Sequence, residues 1–268
     1  MTEPRPGRLT IAVVYPDLLG TYGDGGNGVI LARRAAWRGI DVELVSAPSD
    51  RPLPRADLYT LGGGEDGPQV RAARALADDG TLVRAVGEGA VVLGVCAGFQ
   101  LLGRSFPDAG DRAQEGLGLL DVTTRKGTGP RAVGELVATY APDAPRTAAG
   151  DVLPRLTGFE NHGGVTTLGP GVRPLARVTH GVGNGGGDGT EGAWAGRVLG
   201  TYLHGPVLAR NTALADVLLG WALAPDGASE GTAAELTPLD DVDELDLRAQ
   251  RLEAVEGRAG RRRWWRRA

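Results

Sequence analysis

The chain has 268 residues, 41% hydrophobic and 23% charged, a globular balance that excludes a disordered polymer. Its 29 basic and 33 acidic residues leave a formal charge of -4, which argues against a protein that grips nucleic acid by overall charge. No apolar run approaches ~20 residues, so no membrane span is expected. The opening MTEPRPGRLT lacks the apolar core of a signal peptide, so the expected compartment is the cytoplasm.

Leu9 to Tyr15 (LTIAVVY) is an apolar run suited to a strand buried on both faces. A glycine-rich turn, Gly20 to Gly28, leads into a helix carrying Val29, Ile30, Ala32, Ala36 and Trp37, with Gly39 as its stop. Strands are predicted over Asp41 to Ala47 and Asp57 to Leu61, the latter running into Gly62-Gly63-Gly64. Helices follow over Pro68 to Ala77 and Leu82 to Val86, then a strand over Ala90 to Val95 that runs into Cys96-Ala97-Gly98 and a helix. Strands alternating with helices predict an α/β fold: a central, mostly parallel sheet flanked by helices.

The second half reads as antiparallel strands at 118–125, 132–140, 155–160, 164–168, 174–180, 193–196 and 198–203, then a helix from Val207 to Ala222. Gly181 to Gly192 (GVGNGGGDGTEG) reads as a mobile loop. The expected organisation is one domain over 1–224 and an appendage over 225–268. The appendage comprises a linker, an acidic helix ending near Glu256, and the tail Arg261 to Arg267. That tail is either a solvated end or a contact with the acidic inner face of the membrane, where arginine and tryptophan are at home.

Cys96 is the only cysteine, so neither an intramolecular disulfide nor a CxxC metal site exists. It is either a small core side chain or a nucleophile. Strand, GxCxG and helix in succession favour the nucleophile, because small neighbours permit the sharp turn that exposes a reactive side chain. A helix N-terminus would lower the thiol pKa, and the Ala97 amide would face an oxyanion. Of His162, His180 and His204, the last is best placed as base, since a strand delivers it to a glycine turn before a helix. Gly64 would complete the oxyanion hole, because glycine lets backbone approach closely.

GVCAGFQLLG, TYLHG and FENHGG together resemble the class I glutamine amidotransferases of the cobyric-acid-synthase-like branch. YPDLLGTYGDGGN and GPRAVGE narrow the resemblance to the amidotransferase subunits of lipid II isoglutaminyl synthases, over roughly residues 9 to 222. The resemblance implies that Cys96 attacks the glutamine side-chain amide, with His204 as base and Gly64 and Ala97 as oxyanion donors. Arg131 would hold the α-carboxylate, while Gln100, Asn161 and His162 would shape the glutamine site. Arg131 otherwise reads as a surface arginine, Gln100 as a helix residue under the turn, and Asn161 and His162 as a turn.

Such subunits pair with a MurT-like Mur ligase that binds ATP, Mg and lipid II. No GxxxxGK[ST] occurs here, and Lys126 is the only lysine, so no cofactor is expected in this chain. One departure matters: where most of the superfamily carries an acid two residues after the histidine, this chain has Pro206. The orienting acid is therefore expected from the partner, with little glutaminase activity in isolation. The alternatives are an amidotransferase for another ATP-activated carboxylate, a non-catalytic scaffold, or a cysteine hydrolase of the α/β-hydrolase type.

Overall fold

Runs too apolar to face water on either side settle in the middle of a sheet. The computed structural model describes residues 7–225 and 231–265. In it, β1 (Leu9–Val14), β2 (Val42–Ala47), β3 (Leu58–Leu61) and β4 (Val91–Val95) run parallel in the spatial order β4-β3-β1-β2. Val198–Thr201 joins parallel to β4, and Ala193–Ala195 folds back antiparallel to close that edge. Every residue of β3 and β4 is buried, whereas β2, at the other edge, is mostly half-buried or exposed. The C-terminal ends of β3, β4 and Val198–Thr201 therefore lie side by side, and the chain leaves each of them at the same end of the sheet.

The helices are α1 (Gly26–Trp37), α2 (Asp66–Asp79), α3 (Thr81–Gly87), α4 (Ala97–Leu102), α5 (Val207–Arg210), α6 (Thr212–Leu223) and α7 (Val242–Trp265). The sequence predicts one helix over Val207 to Ala222, but the structure breaks it at Asn211. The Asn211 amide nitrogen donates to the carbonyls of Val207 (2.7 Å) and Thr157 (2.8 Å), and its oxygen accepts the Thr157 amide. A short polar side chain thus competes with the helix backbone and ends the first segment.

The later strands form two further sheets. In one, Ala132–Tyr140 pairs antiparallel with Leu156–His162, Ala176–His180 extends it on one side and Leu203–His204 on the other. The second holds Val122–Lys126 against Gly164–Leu168, with two short strands, Ser105–Pro107 and Ala113–Glu115, that the sequence reading does not anticipate. The strand expected over 198–203 divides: Val198–Thr201 stays in the main sheet and Leu203–His204 crosses to the next.

Gly181 to Gly192 is not the loose loop its composition suggests. Glu160 accepts the amides of Val182 (2.8 Å) and Gly183 (2.9 Å). Asn184, fully buried, bonds to Thr190 and to both backbone groups of Gly192. Glu191 is also fully buried and accepts the Thr201 hydroxyl and the Tyr202 amide. Buried polar groups with partners hold this segment; glycine only lets it bend.

Beyond the linker the chain returns to the body. Arg34, 2% exposed, forks onto Asp216 (2.8 Å) and Asp241 (2.6 Å), and Arg38 adds bonds to Asp216 and the Thr237 carbonyl. Val255 of α7 is buried, and Arg155 bonds to Glu256. The Arg/Trp tail lies outside the residues whose side chains are described. Among the described residues no helix is long and apolar enough to cross a membrane.

Candidate active site

The turn after β4 is built on two close backbone approaches. A Cβ on Gly94 would lie 2.6 Å from Leu102 Cδ1 and 2.9 Å from the Gly98 carbonyl; one on Gly98 would lie 2.5 Å from the Leu61 carbonyl oxygen. Glycine at both positions lets Cys96 sit at φ +51, ψ -105, a conformation that costs a non-glycine residue about 1–3 kcal/mol. The Cys96 amide bonds to Thr201 O (2.8 Å) and the Gly98 amide to Gly62 O (3.1 Å), which tie the turn to both neighbouring strands.

Each glycine of Gly62-Gly63-Gly64 is required by a different neighbour. A Cβ would meet the Leu19 carbonyl oxygen at 2.2 Å from position 62, His204 Cε1 at 2.6 Å from position 63, and the Leu18 carbonyl oxygen at 2.7 Å from position 64. Position 63 is thus the seat of the histidine. Gly64, Cys96, Ala97, Gln100, Arg131 and His162 line one cleft, and Lys126 reaches it too. The Ala97 amide favours the thiolate of Cys96.

Leu203–His204 pairs with Phe159 and Glu160, so the register sets His204 beside the strand that ends in Asn161 and His162. The histidine has an orienter within the chain. Asp24, 1% exposed, accepts the Gly63 amide (2.9 Å) on Oδ2, and the same oxygen lies 2.8 Å from His204 Nδ1. An Nδ1–H donated to a carboxylate leaves Nε2 as the basic nitrogen, and among the described residues Nε2 has no hydrogen-bond partner. The expectation that a partner must supply this acid is therefore corrected, and with it the ground for expecting an idle isolated chain. Pro206, standing where the acid was missed, packs on Gly26, where a Cβ would come within 2.4 Å of its ring. Asn27 locks the arrangement: its Nδ2 donates to the Asp24 carbonyl and its Oδ1 accepts the Leu208 amide, both at 3.0 Å.

The thiol departs from the sequence expectation. Burial first, then the negative Asp24, push its pKa up to about 12; the Ala97 amide and Arg131 pull the other way with less effect than either, and Glu65 adds the smallest push. The short α4 does not offset the loss of water around sulfur. Cys96 is a neutral thiol, with Sγ 4.0 Å from the Asn161 carbonyl oxygen that accepts its proton weakly. Such a nucleophile needs a base to take its proton as it attacks, which is the task that the Asp24–His204 pair sets up.

Arg131 is exposed beside the cleft and grips Asn161 twice, Nε to Oδ1 (2.6 Å) and Nη2 to the carbonyl (3.0 Å). Gln100 spends its amide internally: Oε1 accepts from Gln69 (2.9 Å) and Nε2 donates to the Tyr202 hydroxyl (3.2 Å). The His162 ring stacks on Tyr202 at 3.8 Å; its Nδ1 meets Gly164 O at 3.1 Å and its Nε2 lies 3.6 Å from Glu160. Gln100 and His162 thus form walls of the cleft, with their polar atoms turned inward. His180 lies at the exposed end of its strand, away from this constellation.

A cysteine on a strand-to-helix elbow, backed by a carboxylate-oriented histidine and flanked by glycine amides, defines a cysteine-nucleophile acyl-transfer site on an α/β sheet. Residues 10–212 match the CobB/CobQ-like glutamine amidotransferase domain, and the chain belongs to that family. It is 36% identical over 221 residues to the lipid II isoglutaminyl synthase (glutamine-hydrolysing) subunit GatD of Streptococcus pneumoniae, covering 81% of this chain and 82% of that one. Its identity to the cobyric acid synthase of Pelotomaculum thermopropionicum is 40% over 239 residues, covering 85% of this chain but 43% of that enzyme. Among solved structures, PurLQS from Thermotoga maritima shares the fold, with TM-score 0.54 at 22% identity over 80% of this chain and 94% of that one.

Asp24 is the site residue that sequence reading passed over. The available signal was an acid inside a glycine run just after the first buried strand.

Proposed function

We propose that this chain is the glutaminase subunit of a lipid II isoglutaminyl synthase. The observation that carries the chemistry is Cys96 on its elbow with His204 held at Nδ1 by Asp24. The Cys96 sulfur attacks the side-chain carbonyl of glutamine while His204 Nε2 takes the thiol proton. The amides of Ala97 and Gly64 stabilise the oxyanion. The tetrahedral adduct collapses with loss of ammonia, which leaves carrying the proton returned by His204. Water, deprotonated by His204, then cleaves the thioester and releases glutamate. Arg131 pairs with the α-carboxylate, a charge-assisted contact suited to a guanidinium. Asn161 orients Arg131, and Gln100 and His162 shape the wall.

The choice of acceptor is supported by the 36% identity to GatD subunits of two species and by the YPDLLGTYGDGGN and GPRAVGE segments, which resemble such subunits. ATP and Mg would then be held by a MurT-like Mur ligase partner, which activates the D-glutamate α-carboxylate of lipid II for ammonia to convert to D-isoglutamine. A lipid-linked acceptor places this work at the cytoplasmic face of the membrane.

The test is glutamate release from glutamine by the chain alone and with such a partner, with Cys96→Ala as control. Release abolished in Cys96→Ala is the expected result, and amidation of lipid II by the pair identifies the acceptor. No release under either condition overturns the reading in favour of a scaffold.

A further inference from the structure

The buried stripe of α2 runs Gln69, Ala72, Ala73 and Leu76, the spacing of a helix face set against a core. Gln69 is its polar member, 3% exposed, at a position that an apolar residue would fill with no polar atom to satisfy. A buried amide is unfavourable unless its hydrogen bonds are made. The Gln69 backbone amide donates to the Glu65 carbonyl (2.9 Å) and closes the first helical turn directly after Gly64. Its side-chain Nε2 donates to Gln100 Oε1 (2.9 Å) and, more weakly, to the Ala97 carbonyl (3.4 Å). Among the described residues, these are the hydrogen bonds that join α2 to α4. From Gln100 the bonds continue to the Tyr202 hydroxyl (3.2 Å), then to Thr166 (2.6 Å) and Thr124 (2.7 Å), all of them buried.

From these contacts we infer that Gln69 is a positioning residue that holds the two halves of the oxyanion hole in register. The inference rests on the glutaminase reading and deepens it. The Gly64 amide comes from the turn after β3 and the Ala97 amide from the turn after β4, so the hole exists only while those turns keep their spacing. The backbone ties them once, from the Gly98 amide to the Gly62 carbonyl (3.1 Å). Gln69 supplies the tie from the helix side: five residues past Gly64, it reaches the carbonyl of Ala97 and the side chain of Gln100. Fixed donors stabilise an oxyanion because they need not reorganise as the charge develops. Loss of the tie therefore weakens the transition state more than bound glutamine, whose carbonyl carries no full charge. Gln69 also borders the cleft, so direct contact with glutamine is the competing reading, and that would show in binding.

The experiment measures glutamate release by the full chain with its Mur-ligase-like partner, and calorimetry measures glutamine binding in a Cys96→Ala background. Gln69→Met keeps the length and bulk of the side chain and removes its donor. Gln69→Asn keeps the amide but is one methylene too short to reach. Each is expected to lower kcat roughly 10- to 100-fold, with KM and Kd for glutamine within about threefold of wild type. Two reagents then separate the hole from the nucleophile. With the chloromethyl ketone analogue of glutamine, the Cys96 sulfur adds to the ketone carbonyl and the oxygen enters the hole as an oxyanion, before the methylene is alkylated and chloride leaves. Iodoacetamide alkylates the same sulfur by direct displacement of iodide, with no oxyanion. In both variants the chloroketone should inactivate about tenfold or more slowly, while iodoacetamide reacts within about twofold of wild type. A disturbed fold would change both reagents together. An unchanged kcat, an equal change with both reagents, or a loss carried by KM and Kd overturns the inference. If the wild-type pair itself releases no glutamate from glutamine, the glutaminase reading falls and the inference with it. If it does and both variants keep the wild-type kcat, only the inference falls.

Discussion

Two segments of this chain are more than half glycine, Gly20 to Gly28 and Gly181 to Gly192, and they do opposite work. The first follows a buried strand at the active end of the main sheet. It carries Asp24 under His204, Tyr22 against its ring and Gly26 against Pro206. The second hangs from Glu160 and turns Asn184 and Glu191 into the interior. The same composition produces an active-site wall in one place and a structural plug in the other. What decides is where each segment's few polar side chains find partners.

The sharpest way to break this comparison is Asp24→Asn. It preserves shape but removes the charge that fixes the His204 tautomer, so glutaminase turnover should fall about 10³-fold or more with the fold intact. The same variant has a second, opposite readout. Asp24 helps raise the pKa of Cys96, so its removal lowers that pKa and increases the thiolate present at any pH below it. Cys96 is the only cysteine, so alkylation by iodoacetamide reports on it alone. Wild type should react about 100-fold or more slowly than a free thiol at pH 8, and Asp24→Asn should react faster while turning over less. Slower alkylation in the variant would contradict the electrostatic account.

Gly26→Ala comes next. Its new methyl would press on Pro206, moving the turn that carries His204, and should cost roughly 10- to 100-fold in kcat. Glu160→Ala should act on the other segment through stability. It strands two amides that Glu160 now accepts, at a cost of about 2–4 kcal/mol in urea unfolding, with little change in turnover per folded molecule. The smallest effect belongs to Gly187→Ala. No atom lies within 4 Å of the added Cβ, so only the φ of +80° is penalised, at about 1 kcal/mol or less. A larger loss of activity from Gly187→Ala than from Gly26→Ala would invert the comparison.

The parallel core and the elbow were legible because their signals are local: continuous apolar strands, and glycines on both sides of a cysteine. His204 was legible for the same reason, as a strand end before a turn. Its orienter was not, because Asp24 lies 180 residues away and reads as one more turn residue in a glycine run. The spacing that marks the acid in related chains pointed to Pro206, and so toward a second chain. The pKa direction of Cys96 was misjudged because a local motif shows the helix but not how much water the fold removes from sulfur. The break at Asn211 and the burial of Glu191 were hidden likewise, since each depends on a partner from another strand, Thr157 for one and Thr201 for the other. Gln100 and His162 sit where the sequence suggested, but their polar atoms serve the wall.

Gly62-Gly63-Gly64 has a bearing on how such a chain can change over generations. Three adjacent positions are constrained by two neighbours: the Leu18-Leu19 backbone, which meets positions 62 and 64, and the His204 ring, which meets position 63. A carbonyl cannot be trimmed by substitution, and relief at the ring leaves the Leu18-Leu19 backbone where it is, so a side-chain change elsewhere does not open the triplet. A library randomised at these codons should return glycine at all three under selection for turnover, whereas one randomised at Gly187 should return a broad set. The triplet is a ratchet in sequence space: drift around it can be extensive while it stays fixed.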